Sequence, residues 1–165
     1  MMKKILHIMV FSLLPTIALA AGDHGEHTHA APGLETPMSH ALSPGGGPGD
    51  PSQVTRTIEI DMLDTMRFSP GEVHVKAGET VRFAIANAGK LPHELVIGSL
   101  ADLKAHAIEM RKNPGMRHDE PNAITLNPGQ RGSLVWKFDR AGTVDFACTS
   151  PGHMEAGMIG RVQVE

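Results

Sequence analysis

The stretch CTSPGHMEAGM, residues 148–158, spaces a thiol, an imidazole and a thioether evenly, as Cys148, His153 and Met158. Cys148 is the only cysteine in the chain, so no internal disulfide can claim it. Alternation along the preceding run GTVDFAC puts Phe146 and Cys148 on one face of a strand, with Asp145 and Ala147 on the other. Ser150-Pro151-Gly152 then turns the chain so that His153 can come back toward the sulfur, and a second turn at Ala156-Gly157 lets Met158 return. One loop thus offers three of the four donors of a blue-copper electron-transfer site, two imidazoles with a thiolate and a weak axial thioether. The second imidazole has a natural candidate in His93, which follows Pro92 at the start of the apolar run HELVIG.

The donor types point to copper. Thiolate and thioether are soft and suit Cu(I), whereas imidazole serves both oxidation states. A bound metal would also keep Cys148 deprotonated and coordinated. Three other readings compete. A lone cysteine can be a small core residue, and a Cys/His pair can be a nucleophile and its base. The second leaves Met158 and His93 without a role and finds no Asn or Asp beside His153 to orient the ring. Zinc prefers Cys and His to Met. Met154 stands too close to His153 in the chain to reach the same metal. Around the donors, Glu94 is expected to accept a hydrogen bond from the backbone or hydroxyl of Thr149, and Asn87 to tie the two ligand-bearing loops together.

Short strands must position these residues. VTRTIEI alternates with Val54, Thr57 or Ile58, and Ile60 as candidates for an inward face. Ser69-Pro70-Gly71 turns into EVHVKAG, with Val73 and Val75 inward and His74 toward solvent. TVRFAIANAG carries Val81, Phe83 and Ile85 on one face. HELVIG, AITL, GSLVWKF, GTVDFAC and IGRVQV follow, separated by Gly, Pro and Asn turns. This spacing predicts an all-β protein, an antiparallel Greek-key β-sandwich over residues 54–165. SLADLKAHAIEMRKNPG breaks the pattern. Leu100, Leu103, Ala107, Ile108 and Met110 recur at helical spacing, Ser99 can cap the start, and Asn113-Pro114-Gly115 stops it, so a short helix is inserted near residues 100–112.

The chain starts MMKKILHIMVFSLLPTIALA, with Lys3 and Lys4 before an apolar run that closes on Ala18-Leu19-Ala20. This is the pattern of a cleaved signal peptide over residues 1–20, and Pro15 interrupts a run already short of the ~20 residues a bilayer needs. The expected location is the periplasm, with no membrane span after cleavage. Losing both lysines leaves 13 of the 15 basic residues against 18 acidic ones, taking the formal charge from −3 to −5. Such a chain is a poor match for nucleic acid. Residues 21–53 are rich in Gly, Pro, Ala and His and poor in large apolar side chains, and so read as a flexible tail.

By these residues the chain resembles a cupredoxin. Its Cys-x4-His-x4-Met spacing is similar to that of rusticyanin and auracyanin, and SPGEVHVKAGETVRF with NAGKLPHELVIG resembles the first half of the same fold. The inserted helix and the His/Met-rich tail look most like periplasmic copper-tolerance cupredoxins. The resemblance implies one type 1 copper per chain, with His93, Cys148 and His153 as equatorial ligands and Met158 as the axial one. Cupredoxins more often have Asn or Ser at the place of Glu94.

Weaker signals accompany this site. His24, His27, His29, Met38 and His40 give the tail the donor types for further, weaker copper binding. Met116 and His118, in GMRHDEPN, are candidates for a second soft site, whereas Met110 is expected in the core. Two roles are consistent with these residues. One is a one-electron carrier whose partner protein docks near His153, on a rim supplied by Pro151, Met154 and Ala156. The other is copper tolerance by sequestering copper or oxidising Cu(I), with no dedicated respiratory role. A copper oxidase or nitrite reductase needs a further catalytic copper held by paired histidines. The only His-x-His is His27-Thr28-His29 in the tail, so the expectation is a non-enzyme.

Overall fold

Strands that alternate apolar and polar residues bury one face each, and two sheets of them close a core by stacking. The structure is a computed structural model that describes residues 45–114 and 120–165. The expectations for the leader, for His24, His27, His29, Met38 and His40, and for Met116 and His118 lie outside those residues. The strands are β1 (Gly46–Pro48), β2 (Arg56–Leu63), β3 (Arg67–Ser69), β4 (Glu72–Val75), β5 (Thr80–Asn87), β6 (His93–Gly98), β7 (Ala123–Leu126), β8 (Arg131–Phe138), β9 (Gly142–Ala147) and β10 (Ile159–Val164). One five-stranded sheet has the order β1-β8-β5-β2-β3, the other β4-β10-β9-β6-β7.

Of the expected inward residues, Ile60, Val73, Val75, Val81, Phe83 and Ile85 meet between the sheets, Ile58 packs partly buried against them, and Val54 and Thr57 stay outside the core. Ile60, Met62, Val81, Phe83, Ile85, Trp136 and Phe138 of the first sheet pack with Val73, Val75, Leu95, Ile97, Val144, Phe146 and Val162 of the second. Phe68 meets Phe146 edge-on with ring centroids 5.0 Å apart, which pins the two layers together beside the site. Cys148 and Met158 belong to this same cluster. Each fully buried large side chain of this kind contributes about 1.5–3 kcal/mol.

Two features depart from the sequence expectation. The sheets are mixed: β2 runs parallel to β5, pairing Arg56 with Val81 through Met62 with Asn87, and β4 runs parallel to β10. Alternation tells which face a side chain takes but not which way a distant partner strand runs. Second, ordered structure starts inside the segment read as tail. β1 pairs with β8, setting Gly46 opposite Phe138 and Pro48 opposite Trp136, and a 3-10 turn follows at Pro51–Gln53, capped by Asp50. Gly46 has φ 153°, and a Cβ there would run into the Lys137 carbonyl. The strand therefore joins through its backbone alone and needs glycine, which a count of apolar side chains does not register.

The inserted helix, α1, spans Leu100–Lys112. Ser99 Oγ caps it, accepting the Asp102 N–H at 3.1 Å. Leu103, Ala107 and Met110 are buried, while Leu100 and Ile108 stay exposed. Leu103 and Ala107 form a second apolar cluster with Val96, Ala147 and Met154 on the outer face of the second sheet. Among the described residues no helix is long and apolar enough to cross a membrane.

Candidate metal centre

The loop between β9 and β10 is shaped by its own backbone. The N–H of His153 donates to the Ser150 carbonyl, that of Gly157 to Met154, and that of Met158 to His153, at 3.0, 2.9 and 3.0 Å. Cys148 N then donates to the Met158 carbonyl at 3.0 Å, which brings the two sulfur residues together at the head of β9 and β10. Gly152 and Gly157 take φ +86° and +98°, conformations that the two turns require and that side-chain-bearing residues resist. His93, the first residue of β6, arrives from the adjacent strand. The donor atoms of His93, Cys148 and His153 all lie within 4.8 Å of one another. Cys148 Sγ is 3.3 Å from His153 Nδ1, and the two imidazole centroids are 5.0 Å apart. Met158 is fully buried beside them.

Whether these residues suit a metal can be judged from their unmet needs. His93 Nε2 lies 3.0 Å from Asp64 Oδ1, but its Nδ1 is buried with no hydrogen-bond partner. A buried polar atom left unmatched is costly, and a metal bound at Nδ1 would supply the missing partner. Burial pushes the Cys148 thiol above its ordinary value, although the Glu94 N–H donating to Sγ at 3.4 Å works the other way. Burial, and next the neighbouring His93, depress His153. The metal-free site therefore holds a protonated thiol, and a soft cation entering it displaces the thiol proton. Two imidazoles, a thiol and a thioether fit copper.

The surrounding residues are placed as follows. Glu94 and Thr149 are both buried, and Thr149 Oγ1 donates to Glu94 Oε2 at 2.5 Å. Asn87 does not tie the two ligand loops together. Its Nδ2 donates to the carbonyls of Leu91 and Leu126, at 2.8 and 2.9 Å, and its Oδ1 accepts from Gly89 N. It braces the turn that it starts against β7, so no group is left to reach the 148–158 loop. Met154 turns away from His153 into the cluster under α1, and Glu155 forms an ion pair with Arg111 of that helix. Met154 therefore supplies no rim beside His153, whereas Pro151 and Ala156 are exposed and His153 is partly so. Met62 and Met110 are core residues. His74 is exposed, with Glu72 on one ring nitrogen and Glu165 on the other.

Two residues were not anticipated. Asp64 accepts the backbone N–H of Lys90 at 2.7 Å and of Leu91 at 3.2 Å besides meeting His93, and the Lys90 bond chiefly holds its carboxyl below the usual value. Arg67 Nη1 donates to the Ala156 carbonyl at 2.9 Å. In the sequence both look like ordinary members of a polar turn, MLDTMRF.

Residues 54–165 match the family of copper binding proteins described as plastocyanin/azurin. The copper-resistant cuproprotein CopI of Rubrivivax gelatinosus is 43% identical over 164 residues, 99% of each chain. CopI of Pseudomonas aeruginosa is 36% identical over 149 residues, 73% of this chain and 82% of that one. Among solved structures, auracyanin B superposes with a TM-score of 0.61 at 26% identity, covering 73% of this chain and 96% of that one.

Proposed function

Because the chain belongs to the plastocyanin/azurin family of copper-binding proteins, we propose that it holds one type 1 copper and serves copper tolerance in the periplasm by one-electron chemistry. The observation that carries this reading is the convergence of His93, Cys148 and His153 within 4.8 Å, with His93 Nδ1 buried and unpartnered and Met158 buried in the same core cluster as Cys148. Copper bound there would exchange a single electron between Cu(I) and Cu(II).

The chain's own residues set the terms of that exchange. His93 and Cys148 are closed off from water, so their positions change little whichever oxidation state they hold. His153 is partly exposed between Pro151 and Ala156, and it is the donor through which an electron would pass to a docking partner. Tolerance is supported by the relatives over nearly the full length, which are named copper-resistant cuproproteins. The periplasmic location rests on the leader-like first twenty residues. We read it as a binder and carrier rather than an enzyme, because a copper oxidase needs a further catalytic copper held by paired histidines and the only His-x-His of the sequence is His27-Thr28-His29.

A deletion strain grown in rising copper separates the two roles. Copper sensitivity restored by wild type but not by Cys148→Ala supports tolerance. A respiratory defect without copper sensitivity would instead favour a dedicated electron carrier.

A further inference from the structure

The turn joining β2 to β3 supplies no metal ligand, yet it touches both loops that do. Met66 N donates to the Leu63 carbonyl at 3.0 Å to close it, and Met66 itself takes φ 58°, which non-glycine residues seldom adopt. From one side of this turn, Asp64 accepts from Lys90 N, Leu91 N and His93 Nε2. From the other, Arg67 Nη1 spans its own turn, at the Met66 carbonyl, and the Ala156 carbonyl two residues before Met158. A glycine stands at each point of contact. A Cβ on Gly89 would collide with the Asp64 carboxylate, and one on Gly157 would lie 2.7 Å from the Arg67 guanidinium.

We propose that residues 63–67 act as a double clasp that positions the copper ligands: Asp64 orients His93, and Arg67 fixes the turn that delivers Met158. The inference rests on the copper reading above for its purpose, though not for its geometry. With Asp64 accepting at Nε2, the ring proton of His93 resides there and the Nδ1 lone pair stays free. A proton on Nδ1 would instead be a buried donor without an acceptor. Arg67 works on the other loop through one nitrogen, Nη1, which donates both to the Met66 carbonyl and to the Ala156 carbonyl. Both are positioning residues, since neither belongs to the ligating trio of His93, Cys148 and His153.

The test uses the full-length metal-free protein first, then copper alone. Nitrogen-15 NMR of His93 should show the Nε2–H tautomer in wild type, a loss of that preference in Asp64→Ala, and retention in Asp64→Asn, whose amide oxygen still accepts. Hydrogen exchange at the Lys90 amide should speed up on the order of tenfold in Asp64→Ala while the Leu95 amide is unchanged. Arg67→Ala should speed exchange at Met158 and leave the His93 tautomer intact. Copper affinity should fall about 10- to 100-fold in Asp64→Ala. An unaltered tautomer and unaltered exchange in both alanine variants would overturn the clasp, including for Arg67. Wild type showing the tautomer and protection described but no thiolate-to-copper absorption would leave the clasp standing and remove the copper reading instead.

Discussion

β10 has a histidine cluster near each end, and the two differ in what they leave free. Toward its last residue, opposite Gln163, His74 is exposed and gives one ring nitrogen to Glu72 and the other to Glu165, at 3.4 and 3.3 Å. Before its first residue, roughly 20 Å away along the strand, His93 is fully buried. One of its ring nitrogens meets Asp64, and the other meets nothing. Histidine and carboxylate occur at both ends, so composition does not separate them. Burial does, together with the sulfur donors that join His93 and a nitrogen kept unmatched. A surface histidine shared by two carboxylates is satisfied, whereas a buried one with a vacant nitrogen beside a thiol is prepared for a metal.

The largest contrast should come from deleting each histidine. His93→Ala should weaken copper binding by more than the roughly 100-fold ceiling typical of residues that only support a ligand. His74→Ala should leave affinity within error, in competition titrations against a Cu(I) chelator. Equal losses would mean that copper is not held at the buried end.

Next come two hydroxyls. Thr149→Val removes the donor to the buried Glu94 carboxylate and should cost about 1–3 kcal/mol in denaturant unfolding of the metal-free protein. Thr143→Val breaks the exposed bond to Gln163, 3.0 Å long, at the other end of the strand and should change stability little.

The two loop methionines sharpen the comparison further, since they stand only four positions apart. Met158→Leu should keep the copper–thiolate absorption but raise the reduction potential, because losing a fourth donor disfavours Cu(II) more than Cu(I). Met154→Leu should leave the potential unchanged and cost less than about 1.5 kcal/mol in stability.

The smallest effect is on pH. His153 is depressed below 6.5 in the metal-free protein, so the unfolded chain takes up its proton first and stability falls as pH drops below about that value. Cys148 is raised above 9.0, so the unfolded chain loses its proton first and stability falls as pH rises past that value. Thermal unfolding of the metal-free protein should therefore show a plateau between these limits, and filling the site with copper should flatten both edges.

Much of the ligand set could be read from the chain because its signals are local. Cys148, His153 and Met158 share one loop, and strand alternation tells which face Cys148 takes. Ser99 and Asn113 mark the helix ends for the same reason. The unread parts are matters of long-range register. Asp64 meets His93 and Arg67 meets Ala156 only once β2 lies parallel to β5 and β3 comes up beside the ligand loop, and no local period carries that arrangement. Asn87 was legible as a brace but not as to which loop it braces. Met154 and Met158 could be told apart only by the outer cluster under α1 that claims the first. β1 escaped notice because glycine pairing leaves no apolar trace.

The most direct test is the visible absorption spectrum of the copper-loaded protein, wild type against Cys148→Ala, with copper content measured alongside. The account predicts strong thiolate-to-copper bands in wild type with one tightly held copper per chain, and their complete loss in the variant. Wild-type protein that binds copper without those bands, or a Cys148→Ala variant that keeps them, would contradict it.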